Sequence, residues 1–190
     1  MMHKFDAKNK HKLDNPKRRE MLPPRETLIR LGLHEGDVMA DIGCGIGYFT
    51  IPAAKIVGEN GNVFAMDISQ EMLGEVEIKI KDNNISNVKS ILTEENDFKL
   101  EEGKVTITFI STVLHEIEDK EKFLIGIKKL LSPKGRIAIV EWEKAKSEFG
   151  PPIEERLDKT DLKEILNTLG FSNISTINIG ENFYGLIAQR

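Results

Sequence analysis

Apolar positions along the chain follow two rhythms. Short, nearly continuous apolar runs at Val38–Ile42, Asn62–Asp67, Val88–Thr93, Val105–Ser111 and Arg136–Trp142 read as strands. The run Val105–Ser111 is rich in β-branched residues, which predicts a strand buried on both faces. Helical spacing fills the gaps. A helix follows the glycine-rich turn and reaches about Val57, and another covers Ser69–Asp82 with Ser69 as its N-cap. A third, Asp119–Leu131, places Phe123, Leu124, Ile127, Leu130 and Leu131 on one face, and Ser132-Pro133-Lys134-Gly135 ends it. Thr160 is expected to cap a helix over Thr160–Leu169. Upstream, Pro23-Pro24 suits the start of a short helix through Leu31, stopped by Gly32.

Strands alternating with helices argue for an open α/β parallel sheet, doubly wound, with helices on both faces and ligands at the carboxyl ends of the strands. The end of the chain departs from that rule. Asn173–Ile179 and Phe183–Ala188 are joined only by Gly180-Glu181-Asn182, too short for a helix, so these strands should form an antiparallel hairpin. A dinucleotide-binding fold would keep alternating.

Composition narrows the function. With 39% hydrophobic and 31% charged residues the chain reads as globular, and its apolar runs fall short of a membrane span. The first 20 residues hold no signal-peptide-like stretch, so a cytoplasmic setting is the default expectation. One cysteine, Cys44, excludes an internal disulfide, and no metal-ligand cluster appears. The net charge of −4 argues against a nucleic-acid partner. It is unevenly spread, because residues 1–30 carry nine Lys/Arg against four Asp/Glu. A basic arm over residues 1–24 therefore precedes an acidic body over residues 25–190.

The chemistry concentrates where the first strand meets its helix. In Asp41-Ile42-Gly43-Cys44-Gly45-Ile46-Gly47, three glycines spaced by two allow a tight turn and close approach of a ligand. A dinucleotide fingerprint would need its third glycine at position 48, which is Tyr48. The loop thus suits a nucleoside with an amino-acid tail better than a pyrophosphate. Asp67 ends the second strand, twenty residues beyond Gly47, where a carboxylate accepts both hydroxyls of a ribose or caps the next helix.

Asp41–Thr50 together with Val63–Ser69 resembles the first two motifs of class I S-adenosylmethionine-dependent methyltransferases. Val113-Leu114-His115-Glu116 and Leu130–Gly135 are similar to that family's later blocks, and the subgroup most resembled is the small enzymes akin to ubiquinone/menaquinone C-methyltransferases. The resemblance, covering Leu33 to the end, implies a Rossmann-like seven-stranded sheet ending in an antiparallel hairpin, and S-adenosyl-L-methionine as cofactor. It implies that Gly43, Cys44, Gly45 and Gly47 face the cofactor's methionyl and ribose portion, with Asp41 near the amino group. Asp67 would take the ribose hydroxyls and Ile68 and Met72 would pack on adenine. Ser111, after the fourth strand, would line the same pocket. In Thr93–Phe98 the adenine amine contact falls to Glu94 with Glu95, with Asp97 as competitor. Two positions depart from the pattern: Thr106, read as a structural change, and Lys99 in place of a common proline.

Methyl transfer from a sulfonium is an in-line displacement that needs alignment first, and a base only if the acceptor keeps its proton. His115, just after the fourth strand, is the candidate base, with a structural histidine as the alternative; Glu116 is the neighbour available to orient it, and Glu141 and Trp142 end the fifth strand on the acceptor side. Cys44 lies in the cofactor loop and is a poor covalent nucleophile. Expected is a methyltransferase acting on a small-molecule acceptor. A nicotinamide-dependent oxidoreductase, a non-catalytic cofactor-binding module and an RNA acceptor are the competing readings. The arm, with Phe5, Leu13, Met21 and Leu22 as apolar anchors and Lys17, Arg18 and Arg19 as cations for an anionic acceptor, would cover the site as a lid or remain a solvated terminus.

Overall fold

The computed structural model describes residues 13–190. Seven strands form one sheet in the order β3-β2-β1-β4-β5-β7-β6: β1 Val38–Ile42, β2 Asn62–Asp67, β3 Val88–Leu92, β4 Val105–Ser111, β5 Leu131–Trp142, β6 Ser172–Asn178 and β7 Phe183–Gln189. The first five strands pair in parallel, while β7 runs antiparallel to both β5 and β6. The strand order reverses between β1 and β4, opening a crevice at their carboxyl ends.

Helices cover both faces. On one lie α2 (Pro24–Arg30), α3 (Thr50–Val57) and α4 (Gln70–Asp82); on the other lie α5 (Lys120–Leu130) and α6 (Lys159–Thr168). Side chains alternate along β5: Ile137 and Ile139 join the layer of Phe123, Leu124, Ile127 and Leu162, whereas Ala138 and Val140 join that of Leu28, Leu31, Ala53 and Val57. The β3–β4 connection has no helix. Phe98 fills that face instead, edge-on to Phe123 at 5.4 Å, and a Cβ on Gly126 would stand 2.8 Å from its ring.

Two local expectations are corrected. Asp158, not Thr160, caps α6, its carboxylate accepting from the Thr160 N–H at 2.7 Å. Ser132–Gly135 do not separate α5 from its strand. Leu131 already pairs with Val105 and Arg136 with Ile107, so the four residues bulge out of the ladder. Within the arm, α1 covers Pro16–Met21 with Asn15 as N-cap and proline at the first helical position, a helix the sequence reading did not assign. Leu22 is fully buried, and Phe5, expected as an anchor, lies outside the described residues.

Thr106 is structural. Its hydroxyl donates to Asp37 at 2.7 Å and accepts from the Val38 N–H at 3.0 Å, and Arg136 pairs with the same carboxylate. Burial would raise the Asp37 carboxyl, but the bonds from Arg136, Thr106 and the His34 N–H hold it below its usual range. A carboxylate with a depressed native pKa stabilises the fold above its usual titration and loses that contribution as pH falls through the native value. Arg136→Ala should therefore cost roughly 3 kcal/mol at pH 7. In denaturant titrations the gap to the parent should narrow below about pH 4.

Candidate functional site

The glycine turn is bound to the end of β2. The N–H groups of Gly43 and Cys44 both donate to the Met66 carbonyl, at 2.8 and 3.0 Å, and the Gly45 N–H donates to Asp67 Oδ2 at 2.9 Å. The other Asp67 oxygen accepts from the Ser69 N–H at 2.8 Å, while the Ser69 hydroxyl caps α4 at the Met72 N–H. Asp67 thus does help shape the helix start, and the same carboxylate braces the glycine turn. Burial pushes it above its usual range against the N–H groups of Ser69, Gly45 and Ile68. Ile68 stands exposed beside it, and Met72 is buried on α4.

Gly43 requires glycine on two counts. Its φ is +68°, and a Cβ there would meet Val113 Cγ2 at 2.5 Å. Val113 reaches that point because Thr112, a β-branched residue, is held at φ +54° with its N–H on the Val140 carbonyl. Such a strained turn recurs where a site demands it. Beneath the glycines, Asp41 is buried and accepts from the Thr50 hydroxyl at 2.6 Å. Burial first, and the nearby Asp67 charge second, lift its carboxyl to about 7 despite the Thr50 bond. Burial and the charges of Asp41 and Asp67 also push the Cys44 thiol well up, which agrees with its reading as a poor nucleophile. Ser111, at the end of β4, has a buried hydroxyl oxygen with no hydrogen-bond partner.

The acidic loop after β3 closes on itself. Glu94 and Asp97 exchange backbone hydrogen bonds, and Lys99 ion-pairs with both carboxylates. Glu94 is exposed and Glu95 half-buried. The departure at Lys99 therefore supplies the cation that gathers this loop.

Across the crevice, Glu141 is fully buried at the end of β5. Its Oε1 accepts from the Leu114 N–H at 2.9 Å, and its Oε2 lies 2.9 Å from His115 Nδ1. Glu116, the neighbour available in sequence, stands at 3.9 Å from Nε2. Burial would lower the His115 pKa, but the Glu141 hydrogen bond and the charges of Glu141, Glu116 and Glu155 raise it overall. His115 lines a cleft of about 550 Å³ with Glu116, Glu155 and Asp158. The cleft's outer wall is the loop after β5. Buried Arg156 ties it by donating to the carbonyls of Glu143, Ala145, Phe149 and Pro151 and to the Ser147 hydroxyl. Nothing in the sequence signalled this arginine. Trp142 is a core aromatic, 4.2 Å from Phe183.

The arm meets both sides of the crevice. Leu13 would lie 3.3 Å from a Cβ on Gly45, Asp14 pairs with Lys79 of α4, and the Tyr48 hydroxyl donates to the Leu22 carbonyl at 2.8 Å. Lys17 stands over the ring of Phe149 at 4.9 Å. Arg18 lies against Tyr48, and Arg19 pairs with Asp14.

A family model described as a methyltransferase domain matches residues 33–178. The chain belongs to that family. The solved structure of an S-adenosylmethionine-dependent methyltransferase from Aquifex aeolicus superposes with a TM-score of 0.92 at 32% identity, covering 98% of this chain and 99% of that one. A ubiquinone/menaquinone biosynthesis C-methyltransferase of Vibrio parahaemolyticus is 30% identical over 71% of this chain and 50% of its own length. A demethylmenaquinone methyltransferase of Lactobacillus johnsonii is 29% identical over 80% and 75%. The chain thus spans about half the length of the first of these curated relatives. The match to a methyltransferase domain and to a solved S-adenosylmethionine-dependent methyltransferase does not favour the oxidoreductase or the non-catalytic module. The residues present fit that cofactor, since Ser111 offers a buried hydroxyl without a hydrogen-bond partner and Asp67 a carboxylate with acceptor capacity to spare at the end of β2. Among the described residues no helix is long and apolar enough to cross a membrane.

Asp67→Ala removes the brace of the turn and a charged acceptor. Calorimetry should show S-adenosylhomocysteine binding weakened by roughly 1.5–3 kcal/mol, with the fold retained by circular dichroism. Unchanged affinity would reduce Asp67 to a local cap.

Proposed function

We propose that this chain methylates a small molecule whose nucleophilic atom must lose a proton, and that a reduced quinone ring is the first acceptor to test. The observation that carries the reading is the His115–Glu141 pair. It stands two residues beyond Val113, which packs on Gly43, and opens onto a cleft of small-molecule size. The names of the quinone-methylating relatives support the acceptor class.

Gly43, Cys44, Gly45 and Gly47 would hold the methionyl and ribose portion of the cofactor, with Asp41 available to its amino group and Ser111 offering its hydroxyl. Asp67 would hold the ribose diol, and Ile68 and Met72 would pack on the adenine, whose amine would fall to the loop of Glu94 and Glu95. When bound, S-adenosylmethionine supplies a methyl carbon on a sulfonium, and the carbon–sulfur pair returns to sulfur as the acceptor's electron pair forms the new bond. His115 Nε2 receives the acceptor's proton and passes it to solvent. The carboxylates of Glu116, Glu155 and Asp158 around the cleft favour a neutral or cationic acceptor over an anionic one.

The arm closes this site. Its contacts with the glycine turn through Leu13 and with Phe149 through Lys17 support a lid spanning cofactor and acceptor sides, which excludes water from the displacement. Because Leu22 is buried, the informative truncation removes residues 1–13 and keeps α1.

Incubation with methyl-labelled cofactor and reduced demethylmenaquinone, followed by organic extraction, should give a labelled product. A parallel incubation with a small-molecule extract and with RNA tests other acceptors, and label on RNA alone would overturn the small-molecule reading. His115→Asn should lower turnover at least 100-fold while S-adenosylhomocysteine affinity stays at the parent value. Removal of residues 1–13 should leave the fold intact and lower turnover more than cofactor affinity, and parent-like turnover would contradict the lid.

A further inference from the structure

His115 has two ring nitrogens, and only one can serve as base at a time. Its Nδ1 lies 2.9 Å from Glu141 Oε2, while Oε1 of the same carboxylate is occupied by the Leu114 N–H. An ionised carboxylate only accepts hydrogen bonds, so the neutral imidazole must carry its proton on Nδ1. The lone pair then sits on Nε2. That nitrogen is beyond hydrogen-bond distance of Glu116, and the residue lines the cleft. Glu141 is aligned for this by the sheet. Ser111 pairs with Val140, so the next residue of β5 falls beside the turn that follows β4.

We propose that Glu141 is the positioning residue of the methyl transfer: seated on the Leu114 N–H, it fixes the His115 proton on Nδ1 and leaves Nε2 to take the acceptor's proton. The proposal rests on the reading of His115 as base. The proton leaves the acceptor for Nε2, the imidazolium is held by the Glu141 carboxylate, and return of that proton to solvent completes the cycle. Glu141 from β5, Glu116 from the turn after β4 and Glu155 from the loop before α6 all face the imidazole and favour its charged form. Among the nearby cations, Lys120 donates to the Ile117 carbonyl and Arg156 to the loop carbonyls, and Lys144 also lines the cleft.

Glu141→Gln is the discriminating variant. The Leu114 N–H still needs an oxygen acceptor, so the glutamine amide turns its NH2 toward Nδ1. The neutral imidazole must then carry its proton on Nε2 and cannot act as base. Imidazole nitrogen NMR on the full chain with labelled histidine, assigned with His115→Asn, reads this without any acceptor. The parent is expected to show the Nδ1–H tautomer and a His115 midpoint above the ordinary 6.5. Glu141→Gln is expected to show the Nε2–H tautomer, a lower midpoint, and turnover on reduced demethylmenaquinone down at least tenfold with KM for S-adenosylmethionine unchanged. An Nε2–H tautomer in the parent would overturn the role of Glu141, as would a Glu141→Gln variant with the parent's tautomer and turnover. If that variant does not fold, the parent's tautomer decides alone. Parent-rate turnover in His115→Asn, with the parent protein still showing the Nδ1–H tautomer, would overturn the base reading itself, a pattern distinct from a wrong tautomer.

Discussion

The cofactor side depends on how the two oxygens of Asp67 are shared. One oxygen takes the Gly45 N–H and the other the Ser69 N–H, so a single carboxylate at the tip of β2 joins the turn after β1 to the start of α4. Three amides of the glycine turn are thereby committed to the end of β2, counting those of Gly43 and Cys44 on Met66. The turn is thus fixed by backbone and carboxylate groups, and the carboxylate keeps lone pairs for hydroxyl donors. Burial beneath the turn leaves Asp41 a different task. Burial lifts its carboxyl to about 7, and an approaching ammonium would favour its ionised form.

The acceptor side repeats the device on the opposite strand. Glu141 places one oxygen on a backbone N–H and the other on a side chain, fixing the turn and the imidazole together. The two sides meet at Gly43 and Val113, brought together by the strained φ of Thr112. Strain of this kind costs on the order of 1–3 kcal/mol, and the ladder bond from Thr112 to Val140 helps to offset it. Buried carboxylates and an unpaired Ser111 hydroxyl are costs to the fold that the site retains.

Most of the fold was legible because parallel strands buried on both faces are written as continuous apolar runs, and the terminal hairpin because its connection is too short for a helix. What escaped was local polar chemistry. Pro16–Met21 lacks apolar periodicity, and its only signal was Asn15 before Pro16, a cap followed by a first-turn proline. Asp158 and Thr160 both suit a helix start, and spacing alone does not choose between them. Of the site, the glycine turn, Asp67 and His115 were visible as motif residues, since their spacing survives in one dimension. Glu141 was seen only as a strand-end residue. Its pairing with His115 depends on the register of β4 against β5, which sequence adjacency does not reveal. Arg156 was invisible for the same reason, because backbone carbonyls of a folded loop leave no mark in sequence.

The central claim is that this crevice is built for a nucleoside with an amino-acid tail. Calorimetric titration of the full chain with S-adenosylhomocysteine and, separately, with NADH tests it most directly. The account expects saturable binding of S-adenosylhomocysteine, one per chain, and no heat of binding with NADH; binding of NADH alone would contradict it.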